Sequence, residues 1–511
     1  MGRQLAMQHR SAGGLGASYD GARYTRTNHD WLTGHVSGDS ALAQAWDVMT
    51  SRARDLVRNE PMAACAIERI VDNVIGEEGI QSESTIEFDD GTLDDETSGQ
   101  IDQGFRHWAE NEADAEGKMS WAEMQALAVG EMAEVGESFL VAVQKPGRNR
   151  SVPLAYQVLE AEQLYYYLDR PRGQGQNMVK RGIEFDSFGE PVAYHFWVHH
   201  PYDLVQTTTE TVVVPASRVI HLFERGGKPK RPSQTRGITW FAPILQVMRD
   251  MGCYVGDEIS AARIAQLFVV AIKRAAAAGQ GLGFVDEDQD SAQDLDGNPL
   301  TDLGSGIVAD LSTGEDVSII QSNRPNSASE PFIRMLLDVM ANGMGMTYLG
   351  LTGDVRGANY SSARFARLHD KTLWRTIQKR VGRKCVRAVR ENVVRQLIAF
   401  GRVPSLSAKQ FVANPGRWLA CDLLPPGWEE VDAAKEVAAA IERIKAGMST
   451  LREECANRGR NWRKVLIQRA REKTFAGSLG LTLSVDQLDQ PALVPTPTPQ
   501  TVDKDDEEAP R

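Results

Sequence analysis

The chain has 511 residues, 42% apolar and 25% charged, and a formal net charge of −12. Its length predicts at least two packed regions. The acidic balance excludes a generic nucleic-acid sponge, whose affinity would rest on Lys and Arg neutralising phosphates, but not a protein that handles DNA without gripping it. Five scattered cysteines with no Cys-x-x-Cys pair exclude a disulfide frame and a cysteine zinc site.

MGRQLAMQHRSAGG has no apolar h-region, so no signal peptide is expected. The longest apolar run, Ile264 to Ile272, is too short to span a bilayer, so a soluble protein with no membrane partner is expected. Residues 1–40 read as a mobile arm. Ala63, Ile67, Ile70, Val71 and Val74 share one helical face, with Pro61 placed to start that helix and Gly76 to stop it. Residues 81–99 read as loop or weak strand. Ser120 and Glu123 form a capping box opening a helix with Trp121, Met124, Leu127 and Ala128 on one side. SFLVAVQ, LAYQVLE, VAYHFWV, TVVV and VIHLF read as strands.

The basic stretch RGGKPKRPSQTRG, 225–237, reads either as a solvated turn or as a phosphate or partner contact. Helical spacing from Phe241 to Ala262 predicts a rod over 240–272, roughly 50 Å long, with its second half buried among other helices. In 278–327 an acidic patch includes Asp286, Asp288 and Asp290, and GIVADLSTGEDVSII reads as a hairpin. Ser291 and Gly297 occupy the sixth and twelfth positions that a calcium loop gives to glycine and glutamate, so no metal is assigned there.

Ser329 to Ala341 is an amphipathic helix leading to LTGDVRGANYSSAR, Leu351 to Arg364, a glycine-punctuated loop in which Asn359 or Ser361 is placed to cap the next helix. That helix, running to about Phe400, carries Arg364, Arg367, Lys371, Arg375, Lys379, Arg383, Arg387 and Arg390 beside an apolar stripe of Trp374, Ile377, Val381 and Cys385. The basic stripe reads as a solvated or salt-bridged face, or as a contact to DNA or to a neighbouring chain. Helix is expected again over Val431 to Arg458 and from Trp462 to about Phe475, followed by a disordered, Pro-rich and then acidic end.

The chain has no G-x-x-x-x-G-K-[ST], H-E-x-x-H or G-x-S-x-G motif, so no catalytic residue and no cofactor are assigned. His195, His199 and His200 lack nearby ligand partners in sequence and read as structural. Scattered carboxylates leave a metal-dependent nuclease or terminase-like enzyme as one alternative, and a monomeric assembly scaffold as another.

RARDLVRNEPMAACAIERIVDNVIG, HLFERGGKPKRPSQTRGITWFAPIL, LTGDVRGANYSSAR and LPPGWEEVDAAKEVAAAIERIKAGMSTLREECANRGRNW together resemble the lambda-like family of phage portal proteins. The resemblance implies a non-enzymatic α+β portal fold that assembles as a ring, a dodecamer in the virion. It would sit at a unique capsid vertex, after assembly in the host cytoplasm, and pass double-stranded DNA non-specifically in packaging and ejection. It also implies contacts with the major capsid protein, the terminase large subunit and then a head-tail adaptor.

Carried over by segment, the resemblance makes 1–40 a flexible arm, 41–237 the wing and 238–277 a first stem helix. The clip would be 278–327, with Asp286, Asp288 and Asp290 as partner contacts. A second stem helix would be 328–346, the channel loop 347–361, a long helix and connection 362–427, the crown 428–490 and a disordered tail 491–511. In the channel loop Thr352, Asp354, Arg356, Asn359 and Tyr360 are the expected DNA contacts, the touch itself falling to Arg356, Asn359 and Tyr360. Arg364, Arg367, Lys371 and Arg375 are the part of the basic stripe that would face DNA or a neighbour if that stripe is not simply a solvated or salt-bridged face.

Overall fold

The computed structural model describes residues 26, 29–30, 33–148, 150–205, 210–223, 231–266, 270–274, 315–319, 329–428 and 433–480. Asp286, Asp288, Asp290 and the GIVADL half of the expected hairpin lie outside the described residues.

The first half of the chain builds helices and then antiparallel sheet. α1 (Gly38–Leu42), α2 (Trp46–Asn59) and α3 (Pro61–Val74) lead to β1 (Gln81–Ser84), α4 (Asp95–Asn111) and α5 (Trp121–Glu134). Pro61 opens α3 and Gly76, at φ 59°, follows its end, as the sequence indicates. The capping box of α5 forms, Ser120 N donating to Glu123 at 2.6 Å and Glu123 N to Ser120 Oγ at 3.3 Å. Trp121, Met124 and Ala128 are buried, but Leu127 is exposed because it falls off that stripe.

The loop-or-strand reading of 81–99 holds at its start and is corrected at its end. β1 is a paired strand, joined to β11 (Cys421–Leu424) from the last quarter of the chain, and helix already begins at Asp95, where Asp94 caps Thr97 N at 2.9 Å. Ile101, Phe105 and Trp108 recur at helical spacing, but Gly99, Gly104 and many polar residues mask that period.

All five expected β runs form strands. β2 (Glu137–Gln144), β3 (Leu154–Leu159) and β8 (Val219–Phe223) make one antiparallel sheet, in the order β3-β2-β8. A second runs β4 (Met178–Lys180), β5 (Ile183–Phe185), β6 (Pro191–Trp197), β7 (Thr211–Pro215). Phe139 and Val141 of β2 pack with Ile183, Phe185, Tyr194 and Phe196 between the two sheets, the alternate side chains of each strand pointing to that layer.

Of the 225–237 stretch, 225–230 lie outside the described residues. Arg236 is buried, not solvated: it donates to Glu137 Oε1 at 2.6 Å and to the Ala161 carbonyl at 3.1 Å, and its guanidinium lies 5.0 Å from the Trp46 ring. Glu137 also accepts from Gly237 N at 2.8 Å and meets His221 at 2.9 Å. Burial alone would raise the Glu137 pKa, but Arg236 and His221 outweigh it and hold the carboxyl below its usual range.

The helix expected over 240–272 is shorter: α6 spans Leu245–Gln266, and β9 (Val270–Arg274) follows. Val269, Val270 and Ile272 are β-branched and favour strand. β9 pairs antiparallel with β10 (Glu315–Ile319), with Ile319 opposite Val270, a long-range pairing that the sequence reading did not include. The first half of α6 is buried through Met248 and Met251, but its second half is not: Ile259 is 49% exposed within one chain.

α7 (Ser329–Met344) packs beside α6, with Tyr254 and Phe332 edge to face at 5.1 Å. α8 (Tyr348–Thr352) and α9 (Tyr360–Val381) follow, then a π-helical turn at Gly382–Val386 and α10 (Arg387–Ala399). The last elements are α11 (Ala408–Ala413), α12 (Pro415–Trp418), β11 (Cys421–Leu424), α13 (Ala433–Lys445), α14 (Leu451–Ala456) and α15 (Trp462–Ser478). The helix expected over 431–458 breaks between α13 and α14, where Gly447 takes φ 70° and Thr450 caps Glu453 N at 3.2 Å. One main core runs from Ala53 through Trp108, Phe241 and Leu351 to Trp374 and Phe411, so the loop before α9 is rooted in the same packing as the N-terminal helices.

Candidate functional site

The loop 347–361 is held by buried groups rather than left loose. Thr347 caps α8, its Oγ1 accepting from Gly350 N at 3.1 Å. The same residue is pinned to buried Asp370 of α9: Thr347 N donates to Oδ1 at 2.8 Å and Oγ1 to Oδ2 at 2.7 Å. A Cβ at Gly350 would overlap Asp370 Oδ2, so that close approach requires glycine. Leu351 is fully buried, and Gly353 at φ 69° turns the chain out of α8.

Beyond Gly353 a second device sets the exposed part. Asp354 accepts from Arg356 N and Nε, both at 2.9 Å, from Arg356 Nη2 at 3.1 Å and from the Tyr348 hydroxyl at 3.1 Å. These hydrogen bonds, the Arg356 side chain first, hold the Asp354 carboxyl well below its usual range. Arg356 remains 78% exposed and lies 3.8 Å from Glu330 of α7. Asn359, not Ser361, caps α9, its Oδ1 accepting from Ser362 N at 2.8 Å.

The five loop residues selected from sequence therefore divide. Thr352, which bonds the Tyr348 carbonyl at 2.8 Å, together with Asp354 and Asn359, shapes the loop. Arg356 and Tyr360 are presented outward, as is Val355, which sequence reasoning did not select. Thr347 and Asp370 were also missed: a threonine and an aspartate 23 residues apart carry no motif, and only the fold brings them together.

The basic stripe also divides. Arg364 pairs with Glu436 of α13 at 2.9 Å, Lys371 is mostly buried with Nζ 5.7 Å from the Trp428 ring, and the Arg375 guanidinium is the same distance from that ring. Arg367 is exposed. Arg390 leaves the expected exposed stripe altogether: it is buried, donating to Ser82 O and Ser82 Oγ at 3.0 Å, to Ser84 Oγ at 2.7 Å and to Asp102 at 2.5 Å, and so ties α10 to β1. Trp374, Ile377, Val381 and Cys385 form the buried stripe read from sequence.

His200 does acquire carboxylate neighbours that are remote in sequence. Glu160, Glu162 and His200 bring their ligand atoms within 4.8 Å of one another. Arg54 supplies positive charge there, its guanidinium 3.1 Å from Glu162 and 2.5 Å from Glu131, so the arrangement is a salt-bridged knot between α2, α5 and the turn after β3. Among the described residues no helix is long and apolar enough to cross a membrane.

Comparison with known proteins finds relatives of this chain. A probable portal protein of Halomonas phage phiHAP-1 is 26% identical over 443 residues, covering 85% of this chain and 81% of that protein. Portal protein B of Escherichia phage lambda is 22% identical over 522 aligned positions, covering 94% and 91%. Among solved structures, a chain of the virion of a native gene transfer agent particle is similar at 14% identity with a TM-score of 0.39, over 88% of this chain and 94% of that one. An HK97 family phage portal protein from Corynebacterium diphtheriae is similar at 10% identity with a TM-score of 0.31, over 76% and 98%. The family model for phage portal protein, lambda family, matches residues 24–378, and the chain belongs to that family.

Proposed function

We propose that this portal protein assembles as a ring, a dodecamer in the virion, that forms the channel for double-stranded DNA at one capsid vertex. It docks the terminase large subunit during packaging, a head-tail adaptor afterwards, and the major capsid protein around its rim. The observation that carries the reading is the pair α6 and α7. Ile259 is 49%, Phe332 42%, Met335 53% and Val339 46% exposed within one chain, on two helices in contact with each other. Fully burying such side chains is worth about 1.5–3 kcal/mol each, and roughly half of that remains to be gained here, so neighbours that cover them stabilise the assembly.

Asp250, Asp257 and Asp338 are exposed on the same helices, and a wall carrying repeated carboxylates repels phosphate and keeps a passing duplex mobile. The loop 347–361 meets DNA through Arg356 and Tyr360. The Asp354–Arg356 fork leaves little free charge there, so contact is light and reversible. The 278–327 segment, joined through the β9–β10 ribbon, is the docking surface for terminase and adaptor.

Size-exclusion chromatography with light scattering and negative-stain images tests the assembly. Rings with a central hole support it, and a 56.3 kDa particle under all conditions contradicts it. In reconstituted capsids, Arg356→Glu with Tyr360→Ala is expected to impair packaging or genome retention; wild-type behaviour would remove the loop from the mechanism.

A further inference from the structure

Two cavities of about 390 and 450 Å³ lie along the exposed side of α9 and share Arg375, Trp428 and Asn457 in their walls, so they form one groove between α9 and the α13–α14 segment. Ten basic side chains line it against two carboxylates, Glu436 and Glu454. Those two are already committed, Glu436 to Arg364 and Glu454 to Arg443, each at 2.9 Å. The first cavity has no carboxylate in its lining and four cations: Arg375, Lys379, Arg383 and Arg387. Among the described residues, Arg367, Lys379, Arg383 and Arg387 form no ion pair, and all four are exposed.

Such crowding is unfavourable. Arg380 is held below its ordinary pKa by burial and by Arg383 beside it. Like charges one helical turn apart destabilise a helix, so a groove of this composition suits an anionic occupant. Glu429, Glu430 and Asp432 lie between groove residues in sequence; counting all three against the ten basic groups still leaves cations in excess.

The chain carries a matching segment. Its end reads DKDDEEAPR, with carboxylates at 503, 505, 506, 507 and 508, and Lys504 as the one cation among them. We propose that this acidic C-terminal segment, 503–508, docks in the basic groove of its own chain, neutralising it and keeping it from binding nucleic acid non-specifically.

Length and position allow this. Asn457, in the groove wall, is followed closely by α15, Trp462–Ser478, a helix of about 25 Å. The 22 residues 481–502 span up to about 70 Å when extended, enough to return past that helix. The basic side chains from Arg364 to Arg387 cover about 35 Å of helix, and six extended residues need about 20 Å. Tethering makes the docking intramolecular, with an effective concentration in the millimolar range, so modest contacts suffice. This inference rests on one chain and does not depend on ring formation.

The test compares full-length wild type with a full-length variant carrying Asp503→Asn, Asp505→Asn, Asp506→Asn, Glu507→Gln and Glu508→Gln. A fluorescein-labelled peptide of residues 501–511 is titrated into each and followed by anisotropy. The neutralised chain is expected to bind the peptide at least tenfold tighter than wild type, with affinity falling as salt rises. Adding Lys379→Gln and Arg383→Gln, both at exposed positions, is expected to abolish that binding without changing the thermal unfolding midpoint.

In wild type, a zero-length carbodiimide is expected to join a carboxylate of 503–508 to Lys379 in a product that migrates as a single chain. Equal peptide affinity for the two chains, or binding indifferent to the groove substitutions, overturns the proposal. So does a pattern in which both chains bind a 20-base-pair DNA duplex equally and neither binds the peptide, which would make the groove a nucleic-acid site. Cross-linked dimers in place of the single-chain product assign the segment to a neighbour and overturn docking in its own chain.

Discussion

Thr347 and Asp370 are joined by two hydrogen bonds, backbone N to Oδ1 at 2.8 Å and Oγ1 to Oδ2 at 2.7 Å, and this pair fixes the start of the loop to the long helix that follows it. Asp370 is almost fully buried, so both acceptor oxygens are satisfied by the loop itself. Asp370→Ala is expected to cost about 2–4 kcal/mol, from two lost bonds to a charged group and an unpaired, partly buried amide. Urea unfolding measures the loss, and hydrogen exchange should rise at 347–353 first. Gly350→Ala should act in the same direction, since its Cβ would displace that carboxylate.

Asp354 and Arg356 set the charge that the loop shows. Asp354→Asn keeps the shape of the side chain but weakens the fork, leaving the Arg356 guanidinium unneutralised. The assembled variant should bind duplex DNA more tightly, with a steeper dependence on salt, as measured by filter binding from 50 to 200 mM salt. Because the Asp354 carboxyl is held below its usual range, the wild-type fork is present above the ordinary Asp pKa. It is lost only as pH falls through the depressed folded value, so wild-type affinity at pH 4.5 should match that at pH 7.

The buried pair of Glu137 and Arg236 ties the start of β2 to the segment that leads into α6. Arg236→Met removes the arginine partner of Glu137, leaving the buried carboxylate with only Gly237 N and His221, and should destabilise the protein by about 3–5 kcal/mol at pH 7. In wild type the depressed Glu137 pKa gives stability that is present above the ordinary Glu range and lost as pH falls through the folded value. In the variant, burial without Arg236 raises that pKa, so the penalty should shrink between pH 7 and pH 5 as Glu137 takes a proton. Denaturant midpoints at the two pH values measure the change.

Two members of one sequence stripe should behave differently. Arg390→Met removes the buried clasp to Ser82, Ser84 and Asp102 and is expected to cost about 3 kcal/mol or more. Arg383→Gln, on the exposed groove side, should change stability by less than about 0.5 kcal/mol. Parallel urea titrations of the two variants make the comparison.

Much of this was legible in the sequence where the signal is local. Pro61, Gly76, the Ser120–Glu123 box and the Asn359 cap act within a few residues, and the strand runs at 138–223 alternate in the ordinary way. What was not legible depends on distant partners. Val270–Arg274 reads as an extension of an apolar helix until its pairing with Glu315–Ile319 is known. Arg390 continues the spacing of Arg383 and Arg387, and only the approach of β1 turns it inward. Arg356 looks like a free cation in LTGDVRGANY, because an aspartate two residues away can fold back on it or point elsewhere.

The uncovered apolar side chains on α6 and α7 carry the central claim, so the most direct measurement is the mass of the purified full-length protein by light scattering, before and after Ile259→Asp with Met335→Asp. The account predicts that wild type forms particles of many times 56.3 kDa, and that the double variant falls apart into folded single chains with an unchanged circular dichroism spectrum. A wild-type mass of one chain at every concentration and salt, or rings that survive both substitutions, would contradict it.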